Sequence, residues 1–209
     1  MEKIKKLIRR HIAYNSIKYF LLILFYVIGI TGGAIFVNSL PSEKSDELMG
    51  VISGFCTGIS DGEIRAGETF RQSMSNNLKT VALLYICAIS AYLIPLIYLH
   101  MAARGFVIGF TVGFMSVFFG FKGFLFVFVS VLPQSIILIP TIMAMSVLSH
   151  NYLINKKQML KNYFPSKGGK GFFLKFSYAT LVICLFMVAS AVVDAFAIPV
   201  FVKAIVGVF

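Results

Sequence analysis

Long apolar stretches separated by short polar ones dominate this chain. Five runs stand out: Ile17 to Val37, Val81 to His100, Gly105 to Phe121, Phe124 to Tyr152 and Phe172 to Phe201. The first is long enough for a helix to cross about 30 Å of hydrocarbon at about 1.5 Å per residue. The pattern predicts an all-α fold, a polytopic integral membrane helical bundle of about five transmembrane helices, forming a single membrane domain over residues 1–209. Only Met101 to Arg104 separate the second and third runs, which predicts a tight turn and an antiparallel hairpin. Gly120 and Gly123, flanking Lys122, predict an equally short turn before the fourth run.

Residues 38–80 form the one sizeable polar stretch. It opens with Asn38, Ser39, Leu40 and Pro41, where the proline restricts a helix running out of the membrane. Within it Leu48, Val51, Ile52, Phe55 and Ile59 recur at helical spacing, so an amphipathic helix lying on the bundle or on the lipid surface is expected.

Charge sets the expected orientation. Residues 1–18 carry Lys3, Lys5, Lys6, Arg9, Arg10 and Lys18 against Glu2, and residues 153–175 carry Lys156, Lys157, Lys161, Lys167, Lys170 and Lys175 with no acid. Clusters of this kind mark the cytosolic side. Residues 38–80 hold six acids (Glu43, Asp46, Glu47, Asp61, Glu63, Glu68) against four bases (Lys44, Arg65, Arg71, Lys79), which suits an extracytoplasmic loop. Five crossings then connect a cytosolic amino terminus to a carboxyl terminus outside. The basic leader also resembles the start of a signal peptide, but its apolar run is too long for one and no A-x-A site follows, so it is read as a retained helix. The stretch Ser166 to Gly171 reads as a flexible connector.

Composition narrows the class further. With 58% hydrophobic and 13% charged residues and a mean hydropathy of +0.88, the chain is too apolar for a water-soluble domain of this size. The net charge of +11 sits in clusters between apolar runs, which argues against nucleic acid as a partner and for the lipid bilayer. Cys56, Cys87 and Cys184 are too scattered for a disulfide framework or a metal cluster.

Candidate chemistry is sparse. Gly105, Gly109 and Gly113 put three small residues on one helix face, as does the weaker pair Gly29 and Gly33. Such faces let another backbone approach closely in lipid, either within the bundle or across a homodimer or partner contact. Pro133, Gln134 and Pro140 predict a kinked fourth helix whose freed carbonyls Gln134 is placed to satisfy; the alternative is a hinge or small pore. Asp194 is the one acid inside an apolar run, a costly position that makes it a functional suspect, although it is expected near the outer interface. His11, His100 and His150 lack metal-ligand spacing and read as interfacial caps. No G-x-S-x-G, H-E-x-x-H or phosphate-binding loop occurs, so neither an enzyme, a cofactor nor a metal is expected.

Four segments in order, Asn38-Ser39-Leu40, Ser73 to Lys79 (SMSNNLK), Arg104 to Phe114 (RGFVIGFTVGF) and Ser130 to Gln134 (SVLPQ), together resemble the stage II sporulation protein M family from about residue 10 to the end. That resemblance implies a role in engulfment, when the mother-cell membrane migrates around the forespore as septal peptidoglycan is remodelled. It implies a non-enzymatic scaffold in the mother-cell septal or engulfing membrane. Its expected partners are stage II sporulation proteins D and P, two membrane-anchored wall hydrolases. The family supplies no catalytic residues to carry over. A small permease or channel built on the fourth helix and Asp194 is the competing expectation, and an intramembrane hydrolase lacks the second carboxylate or the Ser/His pair it would need.

Overall fold

A computed structural model of the chain describes residues 9, 11–60, 66–161 and 168–206. The basic leader upstream of Arg9, the centre of the second basic segment at 162–167 and the last three residues lie outside that description. Five helices follow one another: α1 (Ser16–Val37), α2 (Ser42–Ser60), α3 (Ala66–Cys87), α4 (Ile94–Lys161) and α5 (Gly168–Val206), with a 3-10 turn over Ala91–Leu93 before α4. Four stretches are long and apolar enough to cross a membrane, Ser16–Val37, Ile94–Val131, Pro133–Ile154 and Phe176–Phe196. The helical membrane class expected from the sequence is therefore found, with four such stretches in place of about five.

The difference lies in the second and third runs. Val81 to His100 is not one helix: α3 stops at Cys87, Ala88 and Ile89 turn on Tyr85 and Ile86, and α4 begins at Ile94. Met101 to Arg104 lie inside α4, so no hairpin turn occurs there. Pro95 explains the new boundary, because proline is favoured in a first helical turn, where its missing N–H costs nothing. His100 and His150 are consequently within α4, not at helix ends.

The reversal expected around Gly120 and Gly123 is present. Gly120 adopts φ 61°, ψ −144°, the one positive φ among the described glycines, and divides α4 into two arms, 94–119 and 121–161. In an unbroken helix residues 115 and 123 would be about 12 Å apart. Here a Cβ on Gly123 would strike the Met115 carbonyl, and Tyr98 near the start of the first arm meets His150 of the second at 3.3 Å. The backbone stays helical through Pro133 and Pro140. Beside the second of these, Thr141 Oγ1 donates to the Ile137 carbonyl at 2.6 Å.

The remaining contacts fix the path of the chain. α1 runs alongside the first arm of α4 in the same direction, Gly29 level with Ala102 and Gly113 with Ala34. α5 runs against the second arm, since Tyr152 stacks on Phe176 at 4.3 Å while Gln134 reaches Asp194. α3 runs against α5, with Ser73 bonded to Asp194, Asn77 to the Met187 carbonyl and Tyr85 to Ser177. α1, α3, the two arms of α4 and α5 therefore run between opposite ends of the bundle in alternating directions, and α3 is the polar member. The stretch read as a loop over 38–80 is thus a loop only in part, because from Ala66 it enters the bundle. At the end where α1 starts, Lys18 binds Asn15 and Asn151, tying the amino-terminal helix to the second arm of α4. α2 lies at the other end, its Leu48 and Ile52 half-buried over a cavity also lined by Phe110 and Val127.

The glycine faces meet each other. A Cβ on Gly29, Gly33, Gly105 or Gly109 would collide with a backbone carbonyl of the facing helix, those of Ala102, Phe106, Tyr26 and Ile30 respectively. The face read from Gly105, Gly109 and Gly113 is occupied by α1 of the same chain. Gly109→Ala, one methyl group, should cost about 1–3 kcal/mol by overpacking, whereas Gly32→Ala, which meets nothing within 4 Å, should be neutral or better. Thermal unfolding of both variants in mild detergent checks this, and equal midpoints would remove the contact as a determinant of stability.

Candidate functional site

α3 carries Ser73, Asn77 and Thr80, a polar face at i, i+4 and i+7, and all three side chains are buried. A helix this polar can sit among apolar neighbours only if those groups find partners, because an unpaired polar group in an apolar interior costs about 1–3 kcal/mol or more. α5 provides two of the partners. Asp194 Oδ2 accepts from Ser73 Oγ, and the Met187 carbonyl accepts from Asn77 Nδ2 at 3.1 Å. Thr80 takes a hydrogen bond from Arg104 of α4 and donates to the Asn76 carbonyl.

Asp194 is only 5% exposed, two residues before the end of the apolar stretch Phe176–Phe196, and its carboxylate is enclosed by protein. α5 continues past it to Val206, and the carboxylate points inward between α3 and the second arm of α4. There Gln134 Nε2 donates to Asp194 Oδ2 at 3.0 Å. Two residues singled out separately in the sequence are thus in contact, and Gln134 serves the acid, not the carbonyls freed by Pro133 and Pro140. Asp194 Oδ1 is buried without a hydrogen-bond partner among the described residues, and so are the hydroxyls of Ser130 and Ser190. Ser130 precedes Gln134, and Ser190 precedes Asp194, by one helical turn on the same face. The result is a seam of hydroxyl, amide and one carboxylate between three helices.

The seam's chemistry is acceptor-rich and holds no imidazole or thiol. It can fasten helices and hold a proton or a small cation. Among the described residues no three His, Cys, Asp or Glu side chains converge on a metal position. His150 is bonded to Tyr98, and His100 lines a cleft together with Thr80, Arg104 and Gln134. Free Cys87 is buried and free Cys184 half-buried.

Sequence reasoning singled out Gln134 and Asp194 but missed Ser73, Asn77, Thr80 and Arg104. Their signal was the helical period of SMSNNLK and its continuation, obscured because the segment was read as loop. Gly105, Gly109 and Gly113 lie on a different face of α4, toward α1, and take no part in the seam.

A bundle of apolar helices that encloses a hydrogen-bonded polar pass defines a polytopic helical membrane protein. The chain belongs to the stage II sporulation protein M family, whose model matches residues 22–199. It is thereby a sporulation-related membrane protein, and the match runs from α1 through α5, taking in every seam residue. No curated protein and no solved structure matches the chain.

Asp194→Leu removes the acceptor of both Ser73 and Gln134, and should destabilise the protein by about 2–4 kcal/mol, since two buried donors are left unpaired. Asp194→Asn keeps one carbonyl oxygen and should lose less than half as much. Unfolding of the two variants in detergent ranks them, and a Leu variant as stable as the Asn variant would mean the carboxylate does not fasten α3.

Proposed function

We propose that this chain is a non-enzymatic membrane scaffold that recruits and localises peptidoglycan hydrolases during forespore engulfment. The observation that carries the reading is the family match over residues 22–199. The partners proposed are stage II sporulation proteins D and P, held at the mother-cell septal or engulfing membrane.

The architecture is compatible with that role. The outer surface of α1 exposes Ile17, Phe20, Ile23, Val27, Ile28 and Ile35, an apolar flank that single-pass membrane anchors can pack against. The end of α4 and the start of α5 lie at the end of the bundle where α1 starts, which we take as cytosolic because Lys-rich segments adjoin it in the sequence. Residues 38–60 lie at the opposite end and carry Glu43, Asp46 and Glu47 against Lys44. α2 lies there, positioned to meet extracytoplasmic domains.

A small permease is the second reading, favoured by the contact of Gln134 with Asp194 deep in the bundle. The two readings separate on conservative variants. Gln134→Leu and Asp194→Asn should be tolerated by a scaffold and damaging to a conduit. The direct test is purification of the tagged chain from sporulating membranes in mild detergent, with mass spectrometry of what co-elutes and imaging of those proteins in a deletion strain. Two wall hydrolases should co-elute and lose their septal position when the chain is absent. Hydrolases that neither co-elute nor move would sink the scaffold.

A further inference from the structure

α3 has a second polar face, turned outward. Arg71, Gln72, Ser75, Asn76 and Lys79 recur at i, i+1, i+4, i+5 and i+8, and all five are exposed, on the side of the helix away from the buried Ser73, Asn77 and Thr80. The face borders a cleft of about 530 Å³ between α3 and the two arms of α4. Asn76, Lys79, Ala103 and Val107 in its lining are exposed, so the cleft opens on the flank of the bundle. Both lie at the middle of the apolar spans. Gly105, next to Arg104, is level with Tyr26, at the centre of Ser16–Val37, and Asn77 bonds the carbonyl of Met187, near the centre of Phe176–Phe196.

Three bases, Lys79, His100 and Arg104, line this cleft, and no carboxylate does. Arg104 donates to Thr80, a neutral hydroxyl, and neither Arg104 nor Lys79 forms an ion pair with a described acid. A cation at this depth is costly without a counter-charge, and a guanidinium with five donors is far from satisfied by one hydroxyl. The acceptor has to come from a molecule that lies in the hydrocarbon and carries its anionic group at mid-depth. A phospholipid does not, because its phosphate sits about 15 Å away in the headgroup layer. A second copy does not either. Copies inserted in one orientation hold each residue at one depth, so Lys79 meets bases at its own level. Asp194 is enclosed within its own protomer, and Glu68 lies about 16 Å further along α3. A membrane-spanning helix with Asp or Glu at its centre meets both conditions.

We infer that the exposed face of α3 and the cleft beside it dock a transmembrane helix of another protein, whose mid-membrane carboxylate pairs with Lys79 and Arg104. A guanidinium offers a carboxylate two parallel N–H bonds and an ammonium adds a third, all charge-assisted. Gln72, Ser75 and Asn76 supply neutral groups for hydrogen bonds between the helices, and Val107 supplies apolar contact. This surface is separate from the apolar flank of α1. The inference rests on neither the scaffold nor the permease reading.

The full chain is reconstituted in phosphatidylcholine vesicles at mildly alkaline pH with a fluorescent single-pass peptide, a leucine-alanine helix carrying one glutamate at its centre, and association is read by energy transfer. The central position keeps the carboxylate at mid-depth in either orientation of the peptide. Wild type should bind this peptide roughly tenfold more tightly than the same peptide with glutamine, the ratio expected of one charge-assisted contact between helices. Lys79→Gln should reduce the preference to about twofold or less. Its side chain is exposed and bonded to nothing described, so this variant decides the matter even where Arg104→Gln, which also loses the Thr80 contact, fails to fold. Arg71→Gln, about 12 Å along α3 from Lys79, should keep the tenfold preference. Equal affinity of wild type for both peptides, or an unchanged ratio in Lys79→Gln, overturns the inference. So does an equal loss in Arg71→Gln, which would reveal a diffuse basic surface. Energy transfer between copies of the chain that the glutamate peptide abolishes would overturn it as well, by assigning the face to a second copy.

Discussion

The contact between α1 and the first arm of α4 governs the rest of the bundle. In lipid, helices gain nothing by hiding apolar surface from one another, so association depends on close packing and on polar contacts. Glycines on both helices allow carbonyl and Cα atoms to approach where any side chain would collide. This fixes the rotation of α4 about its axis as well as its height. With Gly105 turned to α1, its neighbour Arg104 is carried about 100° round the helix, to the side where α3 offers Thr80. A packing constraint on one face thereby places the charged chemistry on another.

On that other face the organising problem is polar. α3 carries serine, asparagine, threonine and lysine into a region flanked by apolar helices, and it stays there because its inward groups are bonded to α4 and α5. The arrangement is reciprocal. Asp194 is an expensive residue in an apolar helix until Ser73 and Gln134 donate to it, and Ser73 is an expensive residue in the core until Asp194 accepts. Neither helix would sit comfortably at this depth without the other.

This reciprocity also explains which parts of the fold were legible in the sequence. Hydropathy finds segments that satisfy the bilayer by themselves, so α1, the arms of α4 and α5 could be read, and the turn at Gly120 was marked by its glycines. A helix that satisfies its polar groups through neighbours has no such signature. α3 was therefore split between a loop and an apolar run, although Ser73, Asn77 and Thr80 repeat at helical spacing and Pro95 marks the start of the next helix. The turn expected at Met101 to Arg104 and the unexpected boundary at Cys87 have the same source: the run Val81 to His100 combines the end of α3 with the start of α4, and its hydropathy does not show the break. Gln134 and Asp194 could be suspected one at a time, because each is anomalous in its own run. That they touch depends on the register of α4 against α5, which no single segment encodes.

Gln134 has one further consequence for the charges at this level. It lines the basic cleft and also binds Asp194, so one amide adjoins both the buried acid and the cleft that holds Lys79, His100 and Arg104. An amide is suited to that position, since it donates to the carboxylate and carries no charge of its own. Were Asp194 free to turn toward Arg104, the two would neutralise each other. Instead the acid's hydrogen-bonded oxygen is committed to Ser73 and Gln134, and the bases face the flank of the bundle without a carboxylate. The fold thus keeps the acid bonded to neutral side chains, and the cleft that holds the bases is the one that opens toward lipid.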